Sequence, residues 1–124
     1  TINHRSDSSG RITGTVINMK SDNGLGRVTV LNDTLLTQTS VAEKIAAVQH
    51  CNGRDYWIVV HDLNLSYYAL LLTTDSIAER IVTNGKLKIK ADIGYLKISP
   101  AGDKIVMPLN NGDVLAEIGN FVKV

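Results

Sequence analysis

The sequence predicts an all-β protein made of antiparallel four-stranded blades of a β-propeller (WD40-like or YVTN-like), with the ring incomplete in this chain. Two observations predict it. β-branched and aromatic residues form short runs separated by Asn, Asp, Gly and Ser, as in strands joined by tight turns. Strand–turn–strand blocks also recur, with Gly53 and Gly102 49 positions apart (102 minus 53). Repeats of about 40 to 50 residues with several short strands are typical of propeller blades.

The composition bounds the class of protein. The chain has 124 residues, is 44% hydrophobic and 20% charged, and carries a net charge of +1. This is the composition of a folded domain with no general attraction to nucleic acid or anionic lipid. Its longest apolar run, residues 67–72, is shorter than the roughly 20 residues of a membrane-spanning helix. We therefore expect neither a nucleic-acid partner nor a membrane span. A single cysteine, Cys51, excludes an intrachain disulfide and leaves the compartment open.

The first two predicted strands cover residues 13–19 and 27–32. Between them lies the turn sequence 20–24, in which Asn23 and Gly24 are suited to the positive φ angles of hairpin turns.

The middle of the chain predicts three further strands. Residues 44–50 and 55–61 flank a turn at 51–54, and residues 67–73 follow. The nearly continuous apolar runs at 55–61 and 67–73 indicate strands covered on both faces. Residues 41–48 also suit a helix, with Ser40 as its cap and Glu43 closing a capping box. We favour the strand because the neighbouring segments repeat a strand pattern.

The remaining segments continue the pattern of short strands and turns. Short strands are predicted at residues 80–83, 87–89, 94–99, 104–107 and 114–118, with turns at 84–85 and 100–103. The chain is then divided into the second half of one blade at 11–42, a complete blade at 43–91 and the first part of a third at 92–124. A blade cannot cover its own faces and has to stack on neighbours. Because the chain starts at Thr1, we interpret it as a piece of a longer protein.

No catalytic, cofactor or metal site is predicted. The three histidines, His4, His50 and His61, lack the spacing of a metal site. The segment around Gly24 and Gly26 lacks the helix that a phosphate-binding loop needs, and no nucleophile-elbow motif is present.

The candidate ligand-binding residues are Trp57 and His61. They are four apart on one predicted strand and share a face with Val59 between them. One interpretation is a pocket in which the indole stacks on a carbohydrate or a peptide of a protein ligand. The interpretation that we favour is packing between blades, and the same holds for the tyrosines at 56, 67 and 68.

Several stretches resemble a known family. They are residues 14–19 (GTVINM), 23–30 (NGLGRVTV), 43–50 (EKIAAVQH), 52–62 with its Tyr-Trp pair, 67–73 (YYALLLT) and 93–100 (IGYLKISP). Together they resemble the propeller-like N-terminal region of Bacteroidetes surface proteins with PKD domains, associated with gliding motility. Arg27 departs from this pattern, which more often has an acidic residue there.

The resemblance implies a non-catalytic scaffold or adhesion module of a larger secreted or cell-surface protein, associated with the outer membrane and type IX secretion. The implied partner is the rest of its own parent chain. From the exposed blade faces and edges we also expect the isolated chain to self-associate. The alternative is part of a propeller-type hydrolase or lactonase, which shares the turn at Ser99–Gly102 and whose site needs further blades.

Overall fold

The computed structural model describes residues 2–4, 9–39, 41–86, 94–110 and 114–121, and within these it is all-β with antiparallel sheets and no α-helix. This confirms the predicted class. The strands are β1 (Ile2–His4), β2 (Ser9–Asn18), β3 (Arg27–Thr39), β4 (Val41–Gln49), β5 (Tyr56–Asp62), β6 (Ser66–Leu72), β7 (Ile77–Asn84), β8 (Lys97–Ile98), β9 (Lys104–Asn110) and β10 (Val114–Asn120). The chain divides into two compact units, Thr1–Thr39 and Ser40–Val124.

The first unit is a three-stranded sheet in the order β1-β2-β3. Strand β3 continues well past the predicted end at residue 32, and Leu36 pairs with Ile12, both of them buried. A short 3-10 turn at Asp22–Gly24 lies in the β2–β3 connection. Asn23 and Gly24 have φ angles of +56° and +89°, so the positive φ expected at this turn is confirmed.

The second unit begins with a four-stranded sheet in the order β4-β5-β6-β7, called here the central sheet. Residues 41–49 form strand β4, so the helical alternative for this segment is not realised. Ile45 and Ala47 pair with Val60 and Ile58 of β5. A helix would lose this ladder and leave one edge of the buried strand β5 without backbone partners.

A three-stranded sheet in the order β10-β9-β8, called here the third sheet, completes the second unit. Residues 94–99 were predicted as one strand, but only Lys97 and Ile98 pair with β9. The predicted strand at 87–89 lies outside the described residues. The strand predicted at 80–83 is one half of β7, which has eight residues.

The core of the second unit lies between the two sheets. Trp57, Val59 and Ala69 from the central sheet form one buried cluster with Ile105 and Met107 from the third sheet. Strand β4 also runs close to β8. The two sheets are therefore packed face to face, each covering apolar side chains of the other.

The β4–β5 and β8–β9 hairpins have the same backbone pattern. In the first turn, the amide of His50 donates to the carbonyl of Asp55 and the amide of Gly53 donates to the carbonyl of His50. In the second turn, the amide of Ser99 donates to the carbonyl of Lys104, and the amide of Gly102 donates to the carbonyl of Ser99. Each residue of the second turn lies 49 positions after its counterpart (99 minus 50, 104 minus 55).

Candidate functional site

A cleft of about 620 Å³ lies between the central and third sheets. Its walls are mainly apolar and its rim carries polar side chains. Residues that line it include Trp57, Tyr67, Ile81, Ile105 and Phe121, with Asn84 and Asn120 among the polar ones. Apolar walls with a few polar groups are the usual character of a small-molecule site, so this cleft is the candidate site in the described part of the chain.

Trp57 lines the cleft, but its side chain is packed against neighbouring residues and is hardly accessible to a ligand. The residue is 2% exposed. The ring of Phe121 meets the indole edge-on at a centroid distance of 6.4 Å, and the His50 ring lies 6.1 Å away. Stacking on a sugar needs an open aromatic face, so this burial supports the packing interpretation of Trp57. A ligand-binding role for Trp57 stays a prediction.

His61 shares the face of β5 with Trp57, as predicted, and is fully buried. The alternation along β5 places Val59 between them, and Val59 is also buried. The imidazole lies edge-on to the ring of Tyr67, with centroids 4.3 Å apart. Tyr67 lines the cleft, whereas His61 does not. The two predicted residues therefore lie on one face, but only Trp57 lines the cleft.

The other two tyrosines of the predicted group, Tyr56 and Tyr68, have different environments. Tyr68 is buried, and its hydroxyl donates a hydrogen bond of 3.3 Å to Oδ2 of Asp62. The guanidinium of Arg80 lies 5.5 Å from the centre of the Tyr68 ring, which is a cation–π distance. Tyr56, in contrast, is 45% exposed. Tyr67, which packs against the buried cluster, and Tyr68 therefore fit the expected packing role, and Tyr56 does not.

A polar network at the β4–β5 turn was not anticipated from the sequence. Nδ2 of Asn52 and the guanidinium of Arg54 donate hydrogen bonds to the buried carboxylate of Asp55, at 2.7 Å and 3.0 Å for the shorter ones. Oδ1 of Asn52 accepts bonds from the amides of Arg54 and Asp55. The hydrogen bonds from Arg54 and then Asn52 lower the pKa of Asp55. The sequence signal was the Asn-Gly-Arg-Asp run, which indicated only a turn.

A second polar network holds the β8–β9 turn. The hydroxyl of Ser99 donates a hydrogen bond of 2.7 Å to Oδ1 of Asp103 and accepts bonds from the amides of Asp103 and Lys104. The bond from Ser99 lowers the pKa of Asp103. Nζ of Lys104 donates to Oδ1 of Asn120. The Ser99 hydroxyl is thus engaged in holding a turn.

The side chains of potential metal ligands are spread out. Within the described residues, no three His, Cys, Asp or Glu side chains converge on a common point. Cys51 is exposed, and its Sγ lies 3.6 Å from Nδ1 of His50. His61 lies at the other end of β5 from these two, and the side chain of His4 is outside the described part of the chain.

The fold and the cleft define an all-β protein whose second unit consists of two antiparallel sheets packed face to face. No protein-family model matches the chain, and no curated protein or solved structure matches it significantly. Among the described residues there is no helix of the length and apolar character that a membrane crossing requires.

Proposed function

We propose that this chain is a non-catalytic repeat module, consecutive blades of a β-propeller that act as a scaffold or adhesion region of a secreted or cell-surface protein. The observation that carries the proposal is the repeated hairpin. Two turns 49 positions apart have the same backbone hydrogen bonds, and each joins the first two strands of a separate sheet. A period of this length, with one sheet per period, is the arrangement of propeller blades.

The packing of the two sheets also supports a stacked repeat. Val48 pairs with Trp57 in the first hairpin, and Lys97 pairs with Val106 in the second, each 49 positions later. The Trp57 face of the central sheet is covered by the third sheet. A unit that buries its face only against the next unit has the energetics of a repeat protein.

The surface location and the parent chain are inferred from the resemblance to Bacteroidetes surface proteins. A non-catalytic role is consistent with the hydrogen bonds of polar side chains that a hydrolase would need, because these bonds hold a turn. Ser99 and Asp103 bond to each other and to the turn backbone. The hydrolase or lactonase alternative has no comparable observation in its favour.

Limited proteolysis of the longer parent protein tests the module proposal. Stacked blades protect one another, so the resistant fragment is expected to be much longer than these 124 residues. Release of a stable fragment with these boundaries would contradict the proposal. A screen of the same parent against lactones and glycosides tests the enzymatic alternative, and turnover of either class would establish it.

A further inference from the structure

The third sheet has an outer face that points away from the central sheet. Strand alternation places it opposite Ile105 and Met107, which are buried against the central sheet. The outer face is defined here by Lys97, Val106, Pro108, Ala116 and Ile118. Of these, Ile118 is 69% exposed and also borders the cleft at the β10 edge, Pro108 and Ala116 are exposed and Val106 is half-buried. Lys104 and Asn120 continue this face at one end of the sheet, so in the described part of the chain the face is open, apolar at its centre and polar at that end.

The outer face corresponds to the covered face of the central sheet, one row of cross-strand neighbours at a time. Val48, Trp57 and Leu71 lie side by side across the central sheet. In the third sheet the corresponding row of cross-strand neighbours is Lys97, Val106 and Ile118.

The next row of cross-strand neighbours shows the same correspondence between the two sheets. Val59 pairs with Ala69 in the central sheet, and Pro108 pairs with Ala116 in the third. Val59 and Ala69 are buried in the cluster between the sheets. The third sheet thus carries, on its open side, the counterparts of side chains that the central sheet buries.

The contact between the two sheets is head-to-tail. The third sheet contacts the central sheet through Ile105 and Met107, whose counterparts 49 positions earlier are Tyr56 and Ile58. Tyr56 and Ile58 alternate with Trp57 and so lie on the opposite face of β5. A contact between two different faces of the same repeat is not self-complementary, so two stacked sheets leave an equivalent face open on the second of them.

We propose that the outer face of the third sheet is the docking surface for one further β-sheet of the same repeat, which presents aliphatic side chains at the positions that Ile105 and Met107 hold. This proposal rests on the proposed function. Val106 stands where the central sheet has Trp57, so the incoming sheet meets a flatter surface. Lys97 stands where the central sheet has Val48, and its Nζ lies 5.9 Å from the centre of the Tyr95 ring.

The test extends the full chain by a second copy of its own residues 76–124, joined directly after Val124. The first added residue then lies one 49-residue period after the residue it copies (125 minus 76). Ile118→Cys, in a Cys51→Ser background, reports exposure of the outer face through its rate of reaction with a thiol reagent. Docking of the added sheet is expected to slow this reaction at least about tenfold relative to the unextended chain. Light scattering verifies that both proteins are monomeric at the concentration used.

Two controls make the result specific. Leu25→Cys, at a residue that is 81% exposed in the first unit, should react at the same rate in both proteins. Aspartate in place of Ile105 and Met107 in the added copy alone should restore fast reaction of Ile118→Cys. Equal rates in the extended and unextended chains would overturn the docking surface. The thiol reaction tests the docking surface and proteolysis of the parent tests the module proposal. The docking proposal can therefore be refuted while the module proposal stands.

Discussion

Gly53 and Gly102 hold the same position in two different hairpins, with φ angles of +70° and +71°. Each donates its amide to the residue three positions before it, His50 or Ser99, whose own amide closes the turn. The side chain that caps the two following amides differs, since Asn52 does so in the first turn and Ser99 in the second. The backbone of the turn is repeated even though its side-chain chemistry is not.

Gly53→Ala is expected to destabilise the second unit through the backbone. The added Cβ meets no atom within 4 Å, so the cost is that of a left-handed conformation with a side chain, about 1 kcal/mol. Gly53→Asn should cost less, because asparagine adopts this conformation more readily. Urea unfolding measures both. Equal stability of the alanine variant and the unchanged chain would mean that the turn does not need positive φ.

The carboxylate of Asp55 is expected to make stability depend on acid pH. Its pKa in the folded chain is lowered from the ordinary value of 3.8 by hydrogen bonds from Arg54 and Asn52. The stabilisation is therefore complete above the unfolded pKa and is lost as the pH falls from about 4 through the folded pKa. The stability difference between the unchanged chain and Asp55→Asn should shrink over that range.

Urea unfolding between pH 2 and pH 7 measures this difference, with Asp33→Asn as the control at an exposed carboxylate of β3. A difference for Asp55→Asn that stays constant with pH would contradict the proposed role of the Asp55 network.

Trp57→Ala is expected to be far more costly than Tyr56→Ala, although the residues are adjacent. Trp57 is buried between the two sheets and Tyr56 is 45% exposed. Removal of a buried aromatic side chain costs about 3–5 kcal/mol, and the exposed neighbour should cost less than half of that. Chemical denaturation followed by circular dichroism compares them. Similar losses for both variants would place the core of the second unit elsewhere.

The isolated chain is expected to self-associate at high concentration through the outer face of the third sheet. Exposed apolar sheet faces favour association, and Ile118 is the most exposed large aliphatic side chain on this one. Ile118→Lys should shift association to higher concentration, whereas Leu25→Lys should not. Light scattering over a concentration series measures the molecular mass. A chain that stays monomeric at every concentration would refute this expectation.

Local sequence patterns were sufficient for most of the strands. The Asn52-Gly53 turn and the nearly continuous apolar runs at 55–61 and 67–73 located the β4–β5–β6 segment, because this turn has a glycine at positive φ and these strands bury side chains. The alternation also placed Trp57 and His61 on one face. Residues 41–48 satisfied both a helical and a strand pattern, and only the pairing of β4 with β5 decided between them.

Long-range relationships were not accessible from these patterns. Lys44 is buried and its side chain packs beside Gly94, 50 positions later in the chain (94 minus 44), which no local rule indicates. The hydrogen bonds that hold Asp55 depend on the rotamers of Asn52 and Arg54. The burial of Trp57 required knowledge of which sheet covers it, and that sheet begins 40 residues later (97 minus 57).

The central claim is that the central and third sheets pack face to face, and a double-mutant cycle between Val59 and Met107 tests it most directly. Both side chains belong to the buried cluster between the sheets. Val59→Ala and Met107→Ala should show a coupling free energy of about 0.5 kcal/mol or more, because side chains packed in one buried cluster do not contribute additively. The control cycle pairs Val59→Ala with Val82→Ala, at an exposed position on the opposite face of the central sheet. Coupling in the first cycle and additivity in the control are predicted, and additivity in both would contradict the face-to-face packing.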